Sequence, residues 1–196
     1  MSYIVKPPFE IADLAGEDVT MGGLSLTNQP ELVLIGNNGT RGSYGTTPEL
    51  VNPMQSGVMA VDTNVGGFAV ATGATTGYIQ VPEDGYYLFS YQVFTEKDSG
   101  TIGSGNIQYN YLDIDTSPDA TTWTQVARTT NLTAGRTDFI FQQTGPTVLL
   151  ELDQDTYVRF QFTVNIATGS GGWAFNFKND SAANSRKTNI RVWKVA

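Results

Sequence analysis

"GYIQVPEDGYYLFSYQVF" (residues 77–94) holds two apolar runs joined by Pro82-Glu83-Asp84-Gly85. Proline fixes φ and glycine accepts conformations closed to other residues, so this joint reads as a tight turn with Gly85 at positive φ. After it, Tyr87, Phe89, Tyr91 and Val93 alternate, which predicts a strand with one complete buried face. Tyr86, Leu88 and Phe94 fall on the other side and make that face half apolar as well. A strand that lines one core needs a single such face. The second must be covered by a copy of the chain or by the chain's own N-terminal part, and the sequence leaves both open.

The same alternation continues downstream. "NIQYNYLDID" (106–115) and "TTWTQVART" (121–129) flank Ser117-Pro118-Asp119 and read as a hairpin. "DFIFQQ" (138–143), "TVLLEL" (147–152), "YVRFQFTV" (157–164), "GGWAFNF" (171–177) and "TNIRVWKV" (188–195) follow, and "GVMAVDT" and "GGFAVAT" precede. About eight to ten strands at spacings of about ten residues predict a β-sandwich or jelly roll, not parallel βαβ units. Residues 1–56 differ. They carry Pro7, Pro8, Pro30, Pro48 and Pro53, the glycine cluster "GNNGTRGSYG" (36–45), and one strand-like run, "ELVLIG" (31–36). "FEIADLAGE" (9–17) has room for one or two helical turns. The expected division is therefore an extended N-terminal arm or anchor over 1–56 and a folded domain over 57–196.

Composition narrows the function. Only 15% of the 196 residues are charged, below the ~25% of an ordinary soluble domain. Nineteen acidic residues against eleven basic ones give a net charge of −8, the wrong sign for a protein that neutralises phosphates, so nucleic acid is not an expected partner. The basic run Arg186, Lys187, Arg191 and Lys194 reads as the solvated face of a last strand. No Cys and no His are present. That excludes disulfides, cysteine nucleophiles, Ser-His-Asp triads and histidine-ligated zinc. The opening residues lack the basic-then-apolar order of a signal peptide, and no apolar stretch has the length of a membrane span, so synthesis in a cytoplasm and no membrane partner are expected.

Val81-Pro82, Gly85, Tyr87, Phe89, Tyr91 and Val93 resemble the hallmark of the C1q/tumour-necrosis-factor-like jelly roll, a strand ending in Val-Pro, a glycine turn, then alternating aromatics and Val. Leu150, Leu152 and Val158 also match that family's later strands, and "IRVWKV" matches its C-terminal one. Asp155-Thr156 stands where the family has a Gly-Asp turn, which puts the conformation of that turn in question. The resemblance covers residues 57–196. It implies an all-β jelly roll that packs one sheet against its copies around a threefold axis. Tyr86, Tyr87, Leu88, Phe89, Tyr91 and Phe94 are then the expected subunit-contact residues, with Tyr86, Leu88 and Phe94 forming the second apolar face.

Other candidates for chemistry carry less. Asp113, Asp115 and Asp119, or Asp153 and Asp155, have oxygens for Ca²⁺ but not the EF-hand spacing, and Asp is also an ordinary turn residue, so no cofactor is expected. "GTIGSG" (100–105) and "GNNGTRG" lack the Lys-Ser/Thr of a phosphate loop. Trp123, Trp173 and Trp193 lie in strand-like runs and are expected in a core or an interface, although an exposed one would stack on sugars. "NFKNDSAANSRKTN" (176–189) is a polar loop suited to recognition. The functional expectation is a non-enzymatic, homotrimeric virion component of a bacteriophage or other virus. A capsid decoration, head-fibre or tail-appendage protein fits, its arm docking on the major capsid or tail protein. The alternative is a bacterial surface or secreted module that binds carbohydrate or protein.

Overall fold

The computed structural model describes residues 20–21, 24–25, 30–36, 40–44, 49–51, 53–54, 58–73, 77–100, 107–136, 141–166, 173–177 and 188–195. All its regular elements are strands. In chain order they are β1 (Thr20–Met21), β2 (Leu24–Ser25), β3 (Glu31–Gly36), β4 (Thr40–Tyr44), β5 (Glu49–Val51), β6 (Met59–Val65), β7 (Ala69–Thr72) and β8 (Gly77–Gln80). The long strands follow: β9 (Gly85–Gly100), β10 (Ile107–Ser117), β11 (Thr124–Arg136), β12 (Phe141–Leu152) and β13 (Tyr157–Ile166). β14 (Trp173–Phe177) and β15 (Asn189–Lys194) end the chain.

Two antiparallel sheets carry the fold. In the first, β9 has β12 along one edge and β15, then β14, along the other; β3 follows β15, β4 follows β14, and β6 closes the order beyond β3. In the second, the order is β11-β10-β13-β8-β7, and β5 also pairs with β13. The non-consecutive neighbours make this the jelly roll anticipated from the strand spacing.

Alternation decides which side chains face the other sheet. Tyr87, Phe89, Tyr91 and Val93 from β9 meet Val158, Phe160 and Phe162 from β13 and Leu112 and Ile114 from β10 in one core. Rings interlock across it, with Phe89 and Phe160 centroids 6.3 Å apart and Tyr91 and Phe160 5.4 Å apart. Each such ring removes a large apolar area from water, and edge-on contacts add to that burial. From Phe141 on, the apparent pair "DFIFQQ" and "TVLLEL" is one strand, β12, with a register break between Thr144 and Thr147; residues 138–140 lie outside the described residues. Pro146 cannot donate to a ladder, and a Cβ on Gly145 would sit 2.8 Å from the Tyr91 carbonyl oxygen, so the break falls where these two residues require it.

The division at residue 57 does not follow the sheets. Glu31–Gly36 is an inner strand of the first sheet, paired with β15 on one side and β6 on the other, and Leu32 and Leu34 lie in the core. Glu49–Val51 pairs with β13, and Met54 is also a core residue. The sandwich therefore starts no later than Pro30, because the Leu-Val-Leu-Ile run has the apolar side chains the core needs between β15 and β6. The helical turns expected at 9–17 lie outside the described residues.

The two turns at one end of the sandwich dock on each other. The Val81 N–H donates to the Thr156 carbonyl (3.0 Å), the Asp155 N–H donates to the Val81 carbonyl (3.0 Å), and the Gln154 N–H donates to Asp84 Oδ1 (2.6 Å). Asp155 adopts φ 65°, the left-handed region that glycine favours and aspartate tolerates. The turn that stands in place of Gly-Asp is therefore left-handed at Asp155. Gly85 has φ 155°, the positive φ expected of it and a conformation that residues with a Cβ rarely adopt.

Candidate functional site

The outer faces of the two sheets differ in chemistry, and each is a candidate interaction surface. Antiparallel partners share a face, so register tells which side chains stand in one row. On the first sheet, Leu149 is opposite Leu88, Leu88 opposite Trp193, Trp193 opposite Glu31, and Glu31 opposite Val65. This row crosses five strands and contains one charged residue. The Trp193 indole N–H donates to Glu31 Oε1 at 3.0 Å, which confirms that the two side chains share the face. Leu149 is 54% exposed, Val65 43% and Tyr86 42%. The Glu151 charge, and its hydrogen bond with the Tyr86 hydroxyl, raise the Tyr86 pKa above its ordinary value.

Of the six residues expected at a subunit contact, Tyr86, Leu88 and Phe94 have the parity of this outer face. Tyr87, Phe89 and Tyr91 are fully buried between the sheets of a single chain, because the parity that makes Tyr86 and Leu88 face outward turns these three inward. Phe94 has the outer-face parity but is covered within the chain, and its backbone N–H donates to Thr188 Oγ1 while Thr188 Oγ1 donates to the Phe94 carbonyl. Leu149, Trp193 and Val65 share the face with Tyr86 and Leu88. The alternation of "TVLLEL" carried the signal for Leu149, since Leu150 and Leu152 point to the core.

Tyr87 and Tyr91 titrate unlike exposed phenols. Burial pushes Tyr87 up to about 12, helped by the Glu83 charge, and its hydroxyl donates to the Glu83 carbonyl (2.7 Å). Burial also raises the Tyr91 pKa well above its ordinary value, and the nearby Asp113 charge adds to it.

On the second sheet the acids on the outer face of β10 are paired with arginines. Arg128 forks onto Asp113, with Nε 2.6 Å from Oδ1 and Nη2 2.8 Å from Oδ2, and its Cζ lies 4.2 Å from the centre of the Tyr111 ring. Arg159 donates from Nε to Asp115 Oδ2 at 2.9 Å, and its Cζ lies 4.4 Å from the centre of a Trp123 ring. Two Asp–Arg pairs, each with an aromatic ring on the guanidinium, stand side by side on β10. Both carboxylates are committed to arginines, which opposes the calcium role considered for them. Asp119 is held differently. The Thr122 and Thr121 N–H groups (each 2.8 Å) and the Ser117 hydroxyl (2.9 Å) donate to its Oδ1 and keep its carboxyl well below the ordinary carboxylate range.

These bonds fix the β10–β11 loop, which presents Trp123 half-buried at its end. Tyr78 lies beside it, centroids 6.3 Å apart, and Tyr157 lies 5.2 Å beyond Tyr78 at an interplanar angle of 86°. Trp123 is thus neither core nor in the row on the first sheet, while Trp193 is in that row. Of the basic run, Arg191 is exposed and Lys194 Nζ pairs with Glu83 Oε1 at 2.8 Å; Arg186, Lys187 and loop residues 178–187 lie outside the described residues.

No family model and no curated protein sequence matches the chain. Solved structures do. Eiger TNF from S. frugiperda superposes with a TM-score of 0.51 at 11% identity, covering 86% of this chain and 94% of that one. Murine APRIL at pH 5.0 gives 0.50 at 11% identity, covering 85% of this chain and 99% of that one. The fold is a TNF-like jelly roll, and identities this low establish the fold alone.

Proposed function

We propose that this chain is a non-enzymatic structural protein of a viral particle, a capsid decoration, head-fibre or tail-appendage component, that works as a homotrimer. The observation that carries the trimer is the apolar row Leu149–Leu88–Trp193–Val65 with Tyr86 beside it, open on the outer face of the first sheet of a single chain. Apolar surface of this extent is covered in a working protein, and a copy of the same face is the economical cover for an outward sheet in this fold. The likeness to a TNF-like jelly roll supports the same assembly. The virion role is supported by composition: a Cys-free, His-free, weakly charged, Gly- and Thr-rich chain has the means for binding and holding and few for acid–base turnover. In this reading the residues before Pro30 attach the trimer to the particle.

Sedimentation at micromolar concentration is expected to give a mass near three times 21.2 kDa. Leu88→Asp combined with Leu149→Lys is expected to yield monomers with an unchanged β spectrum. A monomeric native chain would refute the trimer. Full-length protein added to particles that lack it is expected to bind saturably, while a chain starting at Pro30 does not; equal binding by both places the attachment on the sandwich.

A further inference from the structure

We infer that the Trp123 end of the second sheet's outer face is a binding site for a neutral pyranose glycan. Register places its parts. Val158 pairs with Ile79 and both lie in the core, so the neighbouring Tyr157, Arg159, Tyr78 and Gln80 face outward. Ser117, opposite Tyr157 on β10, is only 1% exposed. Trp123, Tyr78 and Tyr157 form a contiguous aromatic run beside that small residue. Arg159 takes one face of the Trp123 indole, and Asp115 holds Arg159 in turn.

A sugar ring offers an apolar C–H face and a rim of hydroxyls, and it needs a counterpart of both kinds. Half-buried Trp and Tyr rings give the first. The second lies alongside: Gln80 donates to Asp155 Oδ1 (3.0 Å) and reaches the Tyr157 hydroxyl (3.5 Å), and the exposed Asp119 carboxylate stands on the loop that carries Trp123, its Oδ1 held by the Thr121 and Thr122 N–H groups and the Ser117 hydroxyl. The rings and polar groups are held before any ligand arrives, which lowers the ordering cost of binding. Charge selects the class of sugar. Both arginines described on this face are already paired with Asp113 and Asp115, and Asp119, Asp153 and Asp155 are exposed around it. Sialylated, sulfated and uronic sugars meet repulsion there, and neutral ones do not.

The inference does not depend on the trimer, because the site lies on the opposite sheet and within one chain. Full-length protein is titrated with soluble, monovalent oligosaccharides of glucose, galactose and N-acetylglucosamine, with sialylated and sulfated oligosaccharides as a second arm. Tryptophan emission and sugar proton shifts are followed. At least one neutral sugar is expected to shift both signals. Trp123→Ala and Tyr157→Ala are expected to weaken that binding about tenfold, on the order of the ~1.4 kcal/mol a well-placed ring supplies. Trp123→Phe keeps a ring, weakens binding less, and removes the emission change. Leu149→Lys, on the first sheet, leaves the affinity per chain unchanged. Circular dichroism reports whether each variant is folded, and Trp123→Phe carries the test should Trp123→Ala unfold. No binding in either arm, binding of the anionic arm alone, or full affinity in folded Trp123→Ala and Tyr157→Ala overturns the site.

Discussion

The first sheet's outer face sets Leu149, Leu88, Trp193 and Val65 in one row with a lone carboxylate, while the second sheet gives every acid on β10's outer face an arginine and every such arginine a ring. The two faces belong to sheets that enclose one core. What differs is where their side chains find partners. The second face is satisfied within the chain, so its charges stabilise the fold and position its rings. The first face leaves apolar area in water, so its side chains add to stability only when another surface covers them. Changes on the first face should therefore act on assembly, and changes on the second on folding.

The largest expected effect tests where the first face begins. A chain starting at Gly57 lacks β3, which stands between β15 and β6 and brings Leu32 and Leu34 to the core. Losing each of these side chains costs about 2–5 kcal/mol, which together approaches the whole stability of a domain. That chain is expected to aggregate or remain unfolded, while one starting at Pro30 keeps its β spectrum and cooperative melting. A folded, trimeric product from Gly57 would mean that β3 is dispensable and that the first face is smaller than described.

Next come the ion pairs of the second face. The Asp115 and Arg159 side chains are only 9% and 23% exposed. Asp115→Ala strands a largely buried guanidinium and is expected to cost about 2–3 kcal/mol in denaturant unfolding. Asp113→Ala should cost less, about 1 kcal/mol, because Arg128 is 40% exposed and rehydrates. Neither should change the mass of the assembly. Dissociation by either substitution would erase the contrast between the faces.

The smallest effect separates adjacent residues. Tyr86 is on the first face, whereas Tyr87 is in the core with its pKa pushed up to about 12. A raised tyrosine pKa means that the folded chain holds a proton the unfolded chain releases above pH ~10. The stability tied to that proton is complete below pH ~10 and is lost as pH rises through about 12. Melting temperature is expected to fall across that window, and Tyr87→Phe should flatten part of the fall at a cost of about 1 kcal/mol near neutrality from the lost bond to Glu83. An equal flattening in Tyr86→Phe would contradict the burial assigned to the pair.

Much of this was legible in the residues alone, because it is local. Alternation over 85–94, 106–115 and 157–164 marks strands and their two faces; Pro82 and Asp155 mark turns; the missing His and Cys remove whole classes of chemistry. These depend on a period of two and on the covalent nature of single residues. What lay beyond the sequence depends on distant partners. "ELVLIG" reads as a strand anywhere, but only its pairing with β15, more than 150 residues later in the chain, makes it part of the core. Tyr87 and Tyr86 are equally apolar runs of one strand until the second sheet takes one parity. Asp113 and Asp115 read as turn acids or metal ligands until register sets them against Arg128 and Arg159, 15 and 44 residues away. Trp123, Tyr78 and Tyr157 come from three separate segments and become one surface only when the sheet brings them together. Local conformational preference acts over a few residues, and the choice among many compatible pairings belongs to the core that all the strands must close at once.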